Sequence, residues 1–173
     1  MIQELIDLRQ SIIEGRTDDA LAIVDELNEM GKKSILRNIK SYLVRMLIHL
    51  IKNEVEQQLT NSGAASIGYS VVEIQDLNLM ENKTSYYLKI DEWDSYLENS
   101  WKTAILKASE EVMGGNYQPR QLTKMADKTT IFNRAMQLLQ LTYDHEEGTL
   151  LDAVYEEFRQ LPGGEDWNVA RED

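Results

Sequence analysis

Four side chains that could carry chemistry recur along one predicted helix at spacings of four, three and four residues. They are Arg45, His49, Lys52 and Glu56. Because an α-helix makes one turn in 3.6 residues, these spacings place all four on one face. Two cations beside a histidine could bind an anion, with His49 as a proton carrier near neutral pH.

The same stripe has a structural interpretation, which we favour. Polar groups beside an apolar core need hydrogen-bond or charge partners. Arg45 and Lys52 would then pair with acids of the preceding predicted helix, such as Glu26 and Glu29, and His49 would be mostly buried and hydrogen-bonded. The sequence alone leaves open whether the stripe is structural or binds an anion.

Two pairs of carboxylates suggest a second kind of chemistry. Glu26 and Glu29, like Glu73 and Asp76, stand three residues apart, so each pair lies on one face of its helix. Four carboxylates around Mg²⁺ is the arrangement of all-α nucleotide pyrophosphohydrolases, in which the metal activates water and grips a pyrophosphate. A magnesium-dependent nucleotide phosphohydrolase is therefore the alternative function, and it requires these four groups to converge.

Other metal sites are not supported by the sequence. The chain has two histidines and no cysteine. A helical di-iron site needs Glu-x-x-His pairs, whereas Met46 and Thr142 stand three residues before His49 and His145. A structural zinc site lacks ligands. We therefore expect no cofactor.

The charge of the chain limits its partners. The net charge is −12, which argues against nucleic acid, because binding to phosphates requires a cationic surface. Residues 1–30 hold eight acids and two bases, whereas residues 31–62 hold six bases and two acids. We interpret this contrast as two helices that pack on each other. The most apolar run, 42–51, is too short to span a membrane, and we expect a cytoplasmic protein.

Apolar residues recur at spacings of three and four almost throughout, which predicts α-helices. Gly15, Gly31, the segment 61–63 and the pair Gly114 and Gly115 are expected to end them. Residues 42–51 are apolar nearly all round, which is typical of a buried helix. The predicted helices are 2–14, 17–30, 33–59, 65–77, 91–113, 128–143 and 149–160.

These elements predict an all-α fold, a helical bundle around a long central helix with a C-terminal helix pair packed on it. The acidic second helix should lie antiparallel to the start of the third, with Gly31 at the turn, because short connections join antiparallel neighbours. We expect a bundle core over 1–113 and a C-terminal helical extension over 114–173.

Three segments resemble one known family. Residues 23–32, IVDELNEMGK, are similar to its acidic segment that ends in MGK, and residues 43–52, LVRMLIHLIK, to its LVRLLxHLLK segment. Residues 64–67, AASI, resemble its next landmark. The chain is identified by these segments, over roughly 12–113, as similar to the domain of unknown function 29. The resemblance implies a helical, mostly bacterial protein, and the family has no established activity.

No catalytic arrangement emerges clearly from the residues, and acidic helical surfaces suit protein partners. The leading hypothesis is therefore a non-enzymatic helical module for protein–protein interaction or regulation. We expect a protein partner or a homo-oligomer, with no nucleic acid and no membrane.

Overall fold

The protein is described by a computed structural model that covers residues 2–169. Met1 and residues 170–173 lie outside this range. Within them the chain forms seven α-helices and two short 3₁₀ helices, Ile90–Glu92 and Val112–Gly115, and no β-strand; Leu79 and Tyr86 form an isolated bridge. The predicted all-α fold is confirmed. The helices are α1 Ile2–Ile13, α2 Thr17–Glu56, α3 Asn61–Asn78, α4 Trp93–Ala108, α5 Pro119–Met125, α6 Lys128–Asp144 and α7 Glu147–Phe158.

The chain divides into two compact units, Met1–Asn38 and Ile39–Asp173. These units follow spatial contacts, and the predicted domain boundary between 113 and 114 stays a prediction. In neither unit do the described residues include a helix with both the length and the apolar character needed to cross a membrane.

The first unit is a helical hairpin made by α1 and the beginning of α2. Gly15 lies in the connection with φ of +70°, a conformation that glycine adopts without a Cβ penalty, and it ends α1 as predicted. Arg16 reinforces the turn, because its guanidinium bonds both Glu14 and Asp19 at 2.7 Å. The two helices enclose a shallow cleft whose lining includes Ser11 and Ile23.

The predicted turn at Gly31 is wrong, because Gly31 lies inside α2, a continuous helix of 40 residues. A glycine inside a helix costs only about 1 kcal/mol relative to alanine, and the flanking Met30, Lys32 and Lys33 favour helix. A Cβ built at Gly31 would meet nothing within 4 Å. The predicted antiparallel packing of the acidic segment on the basic one is therefore wrong, since both belong to one helix.

The second unit contains the core. The part of α2 that begins at Ile39 is buried almost all round, as the apolar run predicted. Its fully buried side chains are Ile39, Leu43, Met46, Leu47, Leu50 and Ile51. Helices α3, α6 and α7 pack on one another, so the predicted C-terminal pair does lie against the bundle.

The connection between α2 and α3 lies earlier than the sequence indicated. Gln57 has φ of 55°, and the Thr60 hydroxyl caps α3 by accepting a hydrogen bond from the Gly63 N–H at 3.0 Å. Asn61 and Gly63 therefore lie inside the first turn of α3 and do not break a helix. The Thr60 cap satisfies an amide that would otherwise be left free at the helix start, and this favours a start of α3 at Asn61.

Candidate functional site

Arg45, His49 and Lys52 lie on the buried half of α2, and each has a different neighbour. Arg45 is exposed, and its guanidinium carbon lies 5.7 Å from the centre of the Tyr69 ring, within range of a cation–π interaction. The Lys52 ammonium lies 3.4 Å from a carboxylate oxygen of Glu111. The predicted pairing of these cations with Glu26 and Glu29 is wrong, because those acids stand earlier on the same continuous helix.

His49 is half-buried, and its Nδ1 is shielded from solvent without a hydrogen-bond partner among residues 2–169. The expected bond from this ring nitrogen to a carboxylate or carbonyl is thus not found at Nδ1. Burial is the main reason why the pKa of His49 lies below its usual value. Lys52 and Arg45 lower this pKa further, and the carboxylate of Glu111 opposes them.

The end of α2 is tied to the segment that follows α4. Besides the Lys52–Glu111 pair, Glu56 accepts a hydrogen bond at 2.9 Å from the backbone N–H of Met113. Met113 has φ of 51° and lies beside Gly114, at the break that the glycine pair predicted. These contacts give Lys52 and Glu56 structural partners, whereas anion binding by the stripe stays a prediction.

The four carboxylates of the predicted magnesium site are divided between the two units. Glu26 and Glu29 are exposed on α2 in the first unit, whereas Glu73, partly buried, and exposed Asp76 lie on α3 in the second. Over residues 2–169 no group of three or more His, Cys, Asp or Glu side chains could hold a metal ion. The predicted magnesium site would need carboxylates from both units, and it stays a prediction.

An exposed apolar surface covers one side of α1. Its five aliphatic side chains, which we call the α1 stripe, are exposed by half or more. The buried residue of this helix is Ser11, and the partly buried ones are Glu4 and Leu8. At 100° per residue, the stripe falls within an arc of about 120° that points away from these three. The stripe consists of Ile2, Leu5, Ile6, Ile12 and Ile13.

A second apolar surface lies between α3 and α7. It is a cleft of about 330 Å³, and no charged side chain contributes to its lining. Small residues of α3, including Gly68, form one wall, and Tyr69, Tyr155 and Trp167 supply aromatic rings. A Cβ at Gly68 would lie 3.6 Å from the Phe158 ring, so this glycine brings the two helices close.

The spacing of the α1 stripe residues is visible in the sequence, but their exposure is not. Periodicity identifies an apolar face and does not say whether a neighbour covers it. The sequence analysis missed the cleft entirely, although the small residues 63–66 and Gly68 were a usable signal of close helix contact. It also missed Glu111, whose distance in the chain from Lys52 gave no hint of their pairing.

Comparisons of the chain with known protein families, with curated proteins and with solved structures found no match.

Proposed function

We propose that this protein is a non-enzymatic module for protein–protein interaction and that the α1 stripe is its contact surface. The supporting observation is the exposure of the stripe: Ile2 is 78% exposed and Ile13 is 66% exposed. Single exposed apolar residues are ordinary on protein surfaces. Five on one face of a 12-residue helix form an apolar surface on both sides of Arg9, which is typical of an interaction site.

The chemistry of the stripe suggests how a partner would bind. An amphipathic helix presents its apolar side chains to a hydrophobic groove or to another helix, at spacings of three and four residues. Ile2, Leu5 and Ile6 have this spacing, and Ile12 and Ile13 follow Leu5 and Ile6 by seven residues, two turns further on the same face. Arg9 projects from the middle of the same arc, so a partner with a carboxylate at that level would fit it.

The overall charge supports the same class of partner. With a net charge of −12 and a pI of about 4.6, the surface repels nucleic acid and anionic lipid, so we propose protein partners in the cytoplasm and neither of those two ligands. The resemblance to the domain of unknown function 29 remains a proposal beside this one and carries no activity of its own.

A paired capture experiment tests the function. The protein is immobilised as wild type, as the double variant Ile6→Gln and Ile13→Gln, and as the control Leu106→Gln. Leu106 is 57% exposed on α4, so the control removes one comparably exposed aliphatic side chain outside the stripe. Glutamine keeps helix propensity, so all three should fold alike.

We expect chemical crosslinking in lysate to recover a specific protein with wild type and with Leu106→Gln. Recovery with the stripe variant should fall at least about tenfold, because the apolar contact area is lost. Crosslinks should map to α1. Equal recovery by all three proteins, or crosslinks that avoid α1, would show that the stripe is not the contact surface.

A further inference from the structure

The exposed face of α2 in the first unit carries two blocks of opposite charge. From Thr17 to Met30 the helix has five acids and no base, and from Gly31 to Asn38 it has three bases and no acid. Within residues 2–169, none of Asp25, Glu29, Lys32 and Lys33 forms an ion pair. All four are exposed, so these four charges are not neutralised by ion pairs within the described residues.

These charges point away from α1. The least exposed positions of the first half of α2 are Ala20, Ile23 and Leu27, which therefore form its side toward α1. At 100° per residue, the mean direction of the four charges lies about 170° from the mean direction of those three. The charged face of the hairpin is thus opposite its internal contact and is free to meet another surface.

The sign pattern is complementary to itself when the helix is reversed. If a second α2 runs antiparallel with its midpoint at the same level near Gly31, the acidic block of each copy faces the basic block of the other. A parallel arrangement would instead place like charges together, which is repulsive. An unrelated partner would need to place a basic block against residues 17–30 and an acidic block against residues 31–38. A second copy of this helix, running antiparallel, already provides that pattern.

We propose that the protein self-associates through α2, with residues 24–38 of two copies antiparallel about Gly31 and the acids of each copy against the partner's bases. This inference deepens the proposed interaction function but uses a different face from the α1 stripe. Exposed ion pairs are individually weak, so the association should be weak and sensitive to salt, and charge should determine its orientation.

Charge reversal tests the proposal by sedimentation of purified full-length protein. Variant A, D25K/E29K, makes these four positions basic, and variant B, K32E/K33E, makes the same four positions acidic. The four-fold variant C combines both sets and restores the two blocks in reverse order. All substitutions are at exposed helix positions, so circular dichroism should show unchanged helix content.

Wild type and C should dimerise at about 50 mM salt, and their dissociation constants should rise roughly tenfold or more at about 500 mM, where charges are screened. A alone and B alone should stay monomeric at concentrations at which wild type dimerises. An equimolar mixture of A and B should form a heterodimer. The α1 variant Ile6→Gln with Ile13→Gln should dimerise like wild type.

Monomeric wild type at low salt, undiminished dimers of A or B, or failure of A and B to pair would each overturn the proposal. A dimer that is lost only in the α1 variant would also overturn it and would assign self-association to the stripe. The capture experiment is also carried out with variants A and B. Partner binding through the α1 stripe does not require α2 pairing, so a failure of self-association can be distinguished from a failure of partner binding.

Discussion

The indole N–H of Trp93 donates a hydrogen bond of 2.7 Å to the hydroxyl of Tyr143, joining the start of α4 to the end of α6. The same hydroxyl accepts a bond from Asn78 on α3 and donates one to the backbone carbonyl of Leu88 at 2.6 Å. One phenol oxygen therefore holds three helices and the irregular connection after α3. Such a shared atom makes the network sensitive to its removal.

Tyr143→Phe should destabilise the protein by about 1–3 kcal/mol, because the Trp93 and Asn78 donors lose a partner in a partly buried site. The ring itself stays, so packing against Tyr86 is kept. Chemical denaturation measures the loss. Tyr155→Phe is the matched control, since no bond from that hydroxyl is found in the described part of the chain, and it should change stability by less than about 0.5 kcal/mol. Equal effects would contradict the role of the Tyr143 hydroxyl.

The pH dependence of this network has a definite sign. Burial is the main cause that raises the pKa of Tyr143 above its usual value, although the bonds from Trp93 and Asn78 act in the opposite direction. Because the folded-state pKa is raised, the fold favours the neutral phenol of Tyr143. The stability that this phenol contributes should therefore be fully present below its unfolded pKa of about 10 and should be lost at higher pH. Denaturation between about pH 9 and 11 checks this, and Tyr143→Phe should reduce the fall.

Gly164→Ala should be strongly destabilising, by about 2–4 kcal/mol. A Cβ at this position would overlap the backbone oxygen of Phe158, and backbone cannot rotate away as a side chain can. Gly148→Ala is the control, since a Cβ there meets nothing within 4 Å and the residue lies in α7. Thermal unfolding should separate the two variants. Similar melting temperatures would contradict the close approach at Gly164.

Much of the fold could be predicted because local signals and tertiary packing agree. The run 42–51 is apolar nearly all round, and its burial, apart from exposed Arg45, follows from that pattern. Gly15 and Gly114 were correctly placed at breaks, and both have φ near +70°. Gly31 misled the prediction, because its identity alone does not reveal whether its backbone stays helical.

Short elements and side-chain partners were harder to predict. Helix α5 has seven residues, and its start depends on Pro119 and on a bond from the Gln118 N–H to the Gln121 side chain at 2.9 Å. The Lys52–Glu111 pair joins residues 59 positions apart. The residue types of the polar stripe were visible in the sequence, but their partners depend on tertiary contacts that periodicity does not encode.

His49 should make stability depend on pH in the mildly acidic range. Its pKa is lowered in the fold, mainly by burial, so the unfolded chain binds a proton more readily. The stability associated with neutral His49 is therefore present above the unfolded pKa of about 6.5 and is lost as pH falls through the lower folded value. Urea denaturation of wild type and His49→Gln at about pH 8 and pH 5 should show a smaller decrease in the variant. An equal decrease in both proteins would show that other groups cause it.

Gly31→Ala should stabilise α2 by about 0.5–1 kcal/mol, because alanine reduces the backbone freedom of the unfolded chain and open space surrounds the added methyl group. Gly15→Ala is a demanding control. It is equally uncrowded, but its φ of +70° costs an alanine about 1 kcal/mol, so this variant should be destabilised. Because the chain has two compact units, amide hydrogen exchange of residues 17–38 is a better measurement than a single global transition.

Slower exchange in Gly31→Ala and faster exchange in Gly15→Ala are the expected results. Faster exchange in Gly31→Ala would show that the helix is not continuous at this residue or that another surface packs closely against it.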